Sequence, residues 1–286
     1  MNIPRSARAQ MAEATVTIIN SGQYSAPSGK RVHIAREIAE CKAQTRLFTP
    51  DYAAKFSPQS YQTILEVQDE TTLQSASRLL ALGQFTKVGV LNFASAKNAG
   101  GGFLGGSQAQ EESLARSSAL YGSLQQCPEY YHYHRNVDHS LLYSDHVIYS
   151  PRCMVFRNDQ GTLLEQAYAV DFITIPAPNK NALARNEAHN LKRIPSTLSR
   201  RIEHFLIIAA EQGCDALVLG AWGCGVFGND PDEVATAFAE HLQNNGRFAQ
   251  QFKHVSFSIP FNPKTPDNTK AFRRYFMWRN AWLTIC

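Results

Sequence analysis

The sequence of 286 residues contains no long apolar run, and no segment approaches the ~20 consecutive apolar residues that a membrane-spanning helix requires. The first ten residues carry positive charge, but no apolar segment follows them, so we expect no secretory signal. Because no apolar run is long enough to span a membrane, we expect no membrane contact. The cysteines include no C-x-x-C pair, which is the spacing typical of zinc sites. We therefore expect reduced thiols in a cytoplasmic protein. The six cysteines are Cys41, Cys127, Cys153, Cys214, Cys224 and Cys286.

A strong excess of one charge is also missing. The 28 Lys and Arg residues stand against 24 Asp and Glu, which leaves a net charge of +4. That excess is too small to be typical of a nucleic-acid-binding protein, but it suits an anionic ligand. Apolar residues make up 44% of the chain and charged residues 18%, which excludes intrinsic disorder. With no internal repeat and no low-complexity linker, we expect one structural unit.

Apolar patterning predicts a layered α/β domain from about residue 86 onward, because buried strands alternate with amphipathic helices. Helices are predicted over residues 110–121, along the stripe that contains Leu198 and Phe205, and from Pro231. Arg200 and Arg201 are predicted to face away from that stripe. Residues 1–86 are predicted as a helical accessory region packed on a core of residues 87–286. The predicted strands are residues 87–93, 153–156, 170–175, 216–219 and 255–259.

Two glycine-rich loops each follow a predicted strand and precede a predicted helix. The first has five glycines within residues 100–106, which are costly to order unless a turn or a close ligand requires them. Ligands of α/β sheets bind beyond the carboxyl ends of the strands. The second loop, residues 220–229, lacks the Lys and Ser/Thr of a P-loop and the acidic residue of a dinucleotide site. Its amides could hold phosphate oxygens, or both loops could be tight turns.

Glu111 and Glu112 open the helix after the first loop. Acidic residues here either complement the helix dipole or supply a general acid beside a ligand. Neighbouring residues on a helix point about 100° apart, so the two carboxylates are not expected to face each other. They would then not flank a glycosidic bond at the ~5–9.5 Å of ordinary glycosidases. In a glycosidase, a single carboxylate would therefore carry the proton.

The run Gly100-Gly101-Gly102, seven residues, then Gln110-Glu111-Glu112 resembles the GGG-x(6–8)-QEE signature of poly(ADP-ribose) glycohydrolases. The resemblance is to their microbial-type branch and extends over roughly residues 30–260. It implies a three-layer α/β/α macrodomain-like mixed sheet with an N-terminal helical extension. The further segments that resemble this branch are residues 91–95, 112–116, 175–179 and 219–229.

The same resemblance implies a role for each matching residue. Glu112 would be the catalytic acid/base, and Glu111 with Gln110 would hold the ribose beside the scissile bond. Asn92, Ser95 and the glycines Gly100, Gly101 and Gly102 would bind substrate. The pyrophosphate loop, with Phe227 against a ribose, would comprise Gly223, Cys224, Gly225, Val226, Phe227 and Gly228. The sequence departs from the family at Ser95, where Asn is common, at Ala99, where Pro is frequent, and at Ala115, where Cys is frequent.

The implied activity is hydrolysis of ribose–ribose O-glycosidic bonds in poly(ADP-ribose), which releases ADP-ribose without a cofactor or a metal. The implied partners are the polymer or ADP-ribosylated proteins, in the DNA damage response, and the chain is expected to be a monomer. Two alternatives remain: a hydrolase of single ADP-ribose groups, and a non-catalytic ADP-ribose-binding module. A non-catalytic binding module needs both glycine loops but no carboxylate at a scissile bond. The presence of Glu112 therefore favours the enzyme.

Three other features have a structural explanation that we favour. His132 and His134 could share a strand face and bind a metal, but an aromatic face packing over the cleft or against adenine is preferred. Lys192, Arg193, Arg200 and Arg201 are expected to form a solvated helix face, with a track for the polymer's phosphates as the alternative. Cys224 has no histidine nearby in sequence, so we do not expect it to be a nucleophile.

Overall fold

The computed structural model describes residues 3–53 and 55–276. Five cysteines in this part are buried and form no disulfide, as predicted, and Cys286 lies outside the described residues. None of the described helices is long and apolar enough to cross a membrane. The helices are α1 (Arg5–Ser21), α2 (Ala35–Gln44), α3 (Thr72–Ala81), α4 (Gln110–Ser117), α5 (Leu120–Leu124), α6 (Pro128–His132), α7 (Lys180–Asn186), α8 (Ile194–Glu211), α9 (Pro231–Leu242) and α10 (Asp267–Phe276).

The strands form a two-stranded and a seven-stranded sheet, and the larger has the order β3-β6-β7-β5-β8-β9-β4. Parallel pairs join β5, β8, β9 and β4, whereas β3, β6 and β7 pair antiparallel, so the sheet is mixed as predicted. The strands are β1 (Gln23–Ser25), β2 (Arg31–His33), β3 (Arg46–Phe48), β4 (Ile64–Gln68), β5 (Val88–Phe93), β6 (Val147–Arg157), β7 (Leu163–Ile175), β8 (Ala216–Leu219) and β9 (His254–Ser258).

The chain divides into two compact units. The first comprises Met1–Pro50, Asn92–His139 and His146–Pro176, and the second comprises Asp51–Leu91, Ser140–Asp145 and Ala177–Cys286. In the first unit, Phe103 and Ala115 pack against Ala12 of α1 in a fully buried cluster. The hydroxyl of Thr15 donates to the carbonyl of Arg116 at 2.6 Å, which ties α1 to α4.

In the second unit, every residue of β8 and β9 is buried. Burial on both faces explains why β8 is a continuous apolar run without alternation. Phe238 of α9 packs on both Phe205 of α8 and Phe257 of β9. Helix α9 begins at Pro231, as the sequence predicted. The side chain of Asp230 caps it by accepting from two amides of the first turn.

Two regions differ from the sequence-based expectation. The N-terminal region contains the short strands β1, β2, β3 and β4 besides its helices, and these runs are too short to show a period of two. The helix predicted over residues 110–121 breaks at Ser118, whose backbone is extended. The reason is tertiary: Ser118 forms a bridge with Val155, and the next amide donates to the carbonyl of Met154 at 2.9 Å.

Arg201 does not face solvent as predicted. It is fully buried, and its Nε donates to Asp145 at 2.7 Å. Its Nη2 donates to the carbonyls of Leu142 and Tyr143 at 2.6 and 2.7 Å. A long side chain whose polar head finds a carboxylate and carbonyls can be buried on an apolar helix face. Arg201 therefore holds residues 140–145, while Arg200 remains exposed.

Candidate active site

The loop after β5 and the first turn of α4 meet at the carboxyl of Glu111, which is only 3% exposed. Its Oε2 accepts from the amide of Ser95 at 2.6 Å, and its Oε1 accepts from Nδ2 of Asn92 at 3.2 Å. Asn92 Nδ2 also donates to Oγ1 of Thr174 at 3.2 Å. A buried carboxyl with several donors is held in one orientation, so Glu111 fixes the geometry of this junction.

Glu112 is the more exposed of the two glutamates. Its Oε1 accepts from the amide of Gly102 at 3.0 Å. Its Oε2 has no hydrogen-bond partner among the described residues. The carboxyl is therefore oriented by the glycine loop through one oxygen, while the other is available to a ligand.

Gly101 shows why the first loop needs glycine. Its φ is +61°, and a Cβ there would lie 2.4 Å from Oε1 of Glu112 and 3.2 Å from Oε2 of Glu111. Both carboxyls thus approach the same backbone position. Gly100, with φ of +69°, has its own close neighbours in Phe103 and Ala115. The glycines make room for the protein's own glutamates and core.

The other predicted residues of this loop hold its structure. Oε1 of Gln110 accepts from the amide of Phe93 at 2.9 Å, so it anchors the end of β5. Oγ of Ser95 accepts from the amide of Asn98 at 3.1 Å and turns the chain after the strand. Oδ1 of Asn92 is buried without a hydrogen-bond partner in the described structure. The structure thus brings Asn92, Ser95 and Gln110 together with the two glutamates.

The two glutamates differ in their electrostatic surroundings. Burial raises the pKa of Glu111 to about 8, against hydrogen bonds from Ser95, Asn92 and Gly100 that act in the opposite direction, and the negative charge of Glu112 raises it further. Removing a carboxylate from water disfavours its ionised form, and a second carboxylate nearby adds to this. At neutral pH the Glu111 carboxyl therefore keeps a proton.

Sequence reasoning missed Tyr131 of α6. It is 4% exposed, and its hydroxyl is buried with no hydrogen-bond partner in the described structure. Desolvation, and next the charge of Glu111, raise the pKa of Tyr131 well above its ordinary value, which places the ring near that glutamate. The aromatic run at residues 130–134 marked the segment, but it did not indicate which ring approaches Glu111.

Helix α1 also contributes to the loop, and no sequence motif indicated this. Nε of Arg5 donates to the carbonyl of Gly105 at 2.8 Å, and Nε of Arg8 donates to that of Gly106 at 2.7 Å. A Cβ on Gly106 would lie 2.1 Å from the carbonyl oxygen of Arg5. The end of the glycine run is therefore pressed against the N-terminal helix and held by two guanidinium groups.

In the second unit, the loop after β8 is built around a buried tryptophan, Trp222, which packs edge-on against Phe205. Gly223 has φ of +75°, and its Cβ would lie 2.4 Å from Nδ2 of Asn229, which donates to the carbonyl of Pro178 at 2.9 Å. By contrast, nothing lies within 4 Å of a Cβ on Gly225. Gly223 is required by packing, whereas the space at Gly225 is open.

The exposed part of this loop presents backbone amides. Among the described residues, the amides of Gly225, Val226 and Phe227 have no hydrogen-bond acceptor, and Val226 is 77% exposed. Successive free amides form a concave anion-binding arrangement. Phe227 lies beside Tyr143, with ring centroids 6.1 Å apart. Cys224 is 7% exposed, and burial raises the pKa of its thiol well above the ordinary value, which disfavours the thiolate form.

The histidine-rich segment is helical, so His132 and His134 do not share a strand face. Residues 133–137 form a π-helical turn after α6. The His134 ring is fully buried, lies 2.8 Å from the Tyr130 carbonyl and packs against the rings of Tyr133 and His146. Within residues 3–53 and 55–276, no group of three or more His, Cys, Asp or Glu side chains is arranged to hold a metal ion.

Comparison with known proteins places this geometry in a family. The family model described as "Microbial-type PARG, catalytic domain" matches residues 12–158, which include both glutamates and the first glycine loop. PARG abbreviates poly(ADP-ribose) glycohydrolase. No curated protein matches the chain at a significant level.

Solved structures of similar proteins point to the same family. The poly(ADP-ribose) glycohydrolase from Thermomonospora curvata is 44% identical, with 95% of this chain and 100% of that chain covered and a TM-score of 0.90. The same enzyme bound to the inhibitor ADP-HPD is 43% identical, with 94% and 99% covered and a TM-score of 0.86.

The Deinococcus radiodurans poly(ADP-ribose) glycohydrolase in complex with ADP-ribose is 42% identical, with 86% of this chain and 98% of that chain covered and a TM-score of 0.76. These similarities extend over nearly the whole of each solved chain. The chain therefore belongs to the microbial-type poly(ADP-ribose) glycohydrolase family.

Proposed function

We propose that this poly(ADP-ribose) glycohydrolase cleaves the ribose–ribose bond with Glu112 as its single acid/base and with Glu111 as the buried partner that binds the adjacent ribose. The supporting observation is the contrast between two neighbouring carboxyls. Glu111 is buried, neutral at neutral pH and fully engaged, whereas Glu112 is oriented by Gly102 and leaves one oxygen available. Two close carboxylates share a proton more readily than they both ionise.

The chemistry follows from this pair. Glu112 donates to the leaving ribose oxygen the proton that the two carboxyls share, as the C1–O bond breaks, and positive charge develops on the sugar. Diphosphate oxygens of the substrate offset that charge. The resulting Glu112 carboxylate removes a proton from the water that attacks C1, which restores the acid and releases ADP-ribose. Each step uses only substrate, water and this carboxyl.

The remaining predicted residues act in binding. Gln110, Asn92 and Ser95 hold the loop that faces the ribose, and Gly100, Gly101 and Gly102 keep its backbone close to the sugar. In the second unit, the free amides of Gly225, Val226 and Phe227 are suited to diphosphate oxygens, while the backbones of Gly223, Cys224 and Gly228 shape the same loop. Phe227 offers an aromatic face to a ribose.

The direct test replaces Glu112 by Gln, which keeps the size and the contact to Gly102 but removes the proton. Release of ADP-ribose from defined polymer should fall by about 10²–10⁴-fold, while the affinity for ADP-ribose changes little. Glu13→Gln, at an exposed position of α1, is the matched control and should leave both unchanged. Near-normal turnover by Glu112→Gln contradicts the assignment, and loss of turnover only in Glu111→Gln would exchange the two roles.

The alternative functions give different products in the same assay. A hydrolase of single ADP-ribose groups would release ADP-ribose from mono-ADP-ribosylated protein and leave polymer intact. We further propose ADP-ribosylated proteins as partners, a monomeric state, a cytoplasmic location and a role in the DNA damage response. The free thiols support the cytoplasmic location, and light scattering with fractionation of cells tests the state and the location.

A further inference from the structure

The first unit contains a cavity of about 100 Å³ beside helix α4, with Ser113 and Ser117 of that helix in its lining. Three arginines from separate elements line it: Arg8 of α1, Arg116 of α4 and Arg157 at the end of β6. A single water needs about 10–15 Å³, so the cavity has room for a group of several heavy atoms. The one carboxylate in its lining is that of Asp159.

Two of these guanidinium groups are deeply buried: Arg116 is 5% exposed and Arg157 is 7% exposed. Within the described residues, neither forms an ion pair with a carboxylate. Nη1 of Arg157 donates to the carbonyl of Gly161 at 2.8 Å, but its Nε is buried without any hydrogen-bond partner. Nη1 of Arg116 donates to the carbonyl of Ser107 at 2.6 Å, and its Nη2 donates to Oε1 of Gln108 and to Oγ of Ser113 at 3.4 Å.

Burying a cation without a carboxylate partner costs free energy, and burial lowers the pKa of both arginines. Desolvation, and next the charge of Arg8, lower the pKa of Arg116 to about 10 against the opposing charge of Glu112, and desolvation also lowers the pKa of Arg157. Proteins rarely bury such charges unless a carboxylate or a bound anion compensates them. Arginine suits phosphate in particular, because its planar group donates two parallel hydrogen bonds.

Two of the three arginines, Arg116 and Arg8, also contact the glycine loop. Arg116 lies one turn after Glu112 on α4 and donates to the loop at Ser107, and Arg8 donates to the carbonyl of Gly106. We propose that this cavity binds a phosphate group, at a site separate from that of ADP-ribose, and that its occupancy stabilises the glycine loop. The inference goes beyond the hydrolytic function. The phosphate comes either from a neighbouring unit of the polymer or from free phosphate in solution.

The test measures phosphate binding by calorimetry at constant ionic strength, with chloride as the balancing anion and with the chain saturated with ADP-ribose. The wild-type protein should bind one inorganic phosphate, and Arg157→Met should weaken this binding at least tenfold. Arg31→Gln removes one charge at an exposed position of β2 and should bind as wild type. Absence of phosphate binding by the wild type, or equal binding by Arg157→Met, overturns the proposal.

A second measurement separates a lost site from a damaged fold. Without phosphate, Arg157→Met should unfold at or above the wild-type temperature, because it removes a buried unpaired charge. Phosphate should raise the unfolding temperature of the wild type and leave that of the variant unchanged. If Arg157→Met does not fold, Arg157→Lys replaces it and should bind more weakly than wild type, because an ammonium cannot form the paired contact. Wild-type affinity in that variant counts against the site.

Kinetics identify the source of the phosphate. If the polymer supplies it, Arg157→Met raises the KM for long chains more than the KM for short oligomers and leaves kcat unchanged. If free phosphate supplies it, the effect of Arg157→Met on KM is the same for long chains and short oligomers. Added phosphate then stabilises only the wild type. Binding of inorganic phosphate is measured without turnover, so its result is independent of the assignment of Glu112.

Discussion

Glu111 and Glu112 are adjacent in sequence and chemically alike, yet their surroundings give them different states. Glu111 points into the junction of β5 and α4 and is covered by Ser95 and Asn92. Glu112 points to Gly102 and solvent. A difference in water access of this kind is sufficient to separate the protonation of two identical groups by several pH units. The division between a buried partner and an available acid is therefore set at the scale of single residues.

Glu111 should make stability depend on pH in one direction. Because burial raises its pKa from 4.5 to about 8, the folded state keeps a proton that the unfolded chain loses. Its stabilising contribution is complete below pH ~4.5 and declines as the pH rises to ~8, by at most about 1.4 kcal/mol per unit. Urea unfolding from pH 4.5 to 9 should show the wild type losing stability relative to Glu111→Gln over this interval.

Above pH ~8 that difference should be constant. The control is Glu13→Gln, since Glu13 is exposed on α1. The free energies of unfolding of the wild type and of this control should change with pH in the same way across the whole range. A constant difference between wild type and Glu111→Gln from pH 4.5 to 8 would show that Glu111 is ionised in the folded protein.

Gly101→Ala tests the close approach of the glycine loop to the acids. The positive φ alone costs about 1–2 kcal/mol for alanine. The new methyl would in addition meet Oε1 of Glu112, and a displacement of about 1 Å in catalytic geometry costs on the order of 10²-fold in rate. Gly213→Ala is the matched control, because its φ is +77° but nothing lies within 4 Å. Both variants should lose similar stability, and only Gly101→Ala should lose turnover.

At the scale of elements, both glycine loops follow a buried strand, but their glycines serve different needs. In the first loop, Gly100 and Gly101 make room for side chains of the protein itself. In the second, Gly223 and Gly228 do the same for Asn229 and Asn181, while Gly225 faces open space. A glycine that packing does not require is the one most suited to approach a ligand.

Gly225→Ala should therefore weaken binding of ADP-ribose without affecting the fold. Its φ is not positive and no atom lies near the added methyl, so the unfolding temperature should remain close to that of the wild type. The methyl should obstruct a phosphate at the adjacent amides and reduce affinity about tenfold, which corresponds to about 1.4 kcal/mol. Calorimetry with ADP-ribose measures this. Unchanged affinity would remove residues 225–227 from the diphosphate site.

At the scale of the whole molecule, stability depends on buried polar anchors as well as on apolar packing. Arg201 joins α8 to residues 140–145 through Asp145 and two carbonyls, at full burial. The adjacent Arg200 contacts the same carboxylate from an exposed position. The two arginines have identical side chains and nearly identical sequence context, so they separate the effect of burial from that of charge.

Denaturant unfolding of Arg201→Met should show a loss of about 3–5 kcal/mol, because the carbonyls of residues 142 and 143 and part of the Asp145 charge lose their buried donor. Arg200→Met should cost about 0–1 kcal/mol, as exposed ion pairs do. Equal losses in the two variants would mean that the buried anchor contributes no more than a surface pair.

Local sequence was sufficient for the features that depend on neighbours along the chain. Buried strands, the start of α9 at Pro231, and the Gly-Gly-Gly and Gln-Glu-Glu motifs after β5 were all predicted, because hydrophobic runs, capping residues and motif spacing are local properties. Membership of the glycohydrolase family followed from the same motifs.

Tertiary packing decided the rest. The end of α4 at Ser118, the burial of Arg201 and the contacts of Arg5 and Arg8 with the glycine loop join residues about 35 to 100 positions apart. The protonation of Glu111 likewise depends on how much water the folded chain excludes, which no spacing of residues expresses. Desolvation and long-range contacts exist only in the folded molecule, and here they determine which of two adjacent glutamates is buried and which is partly exposed to solvent.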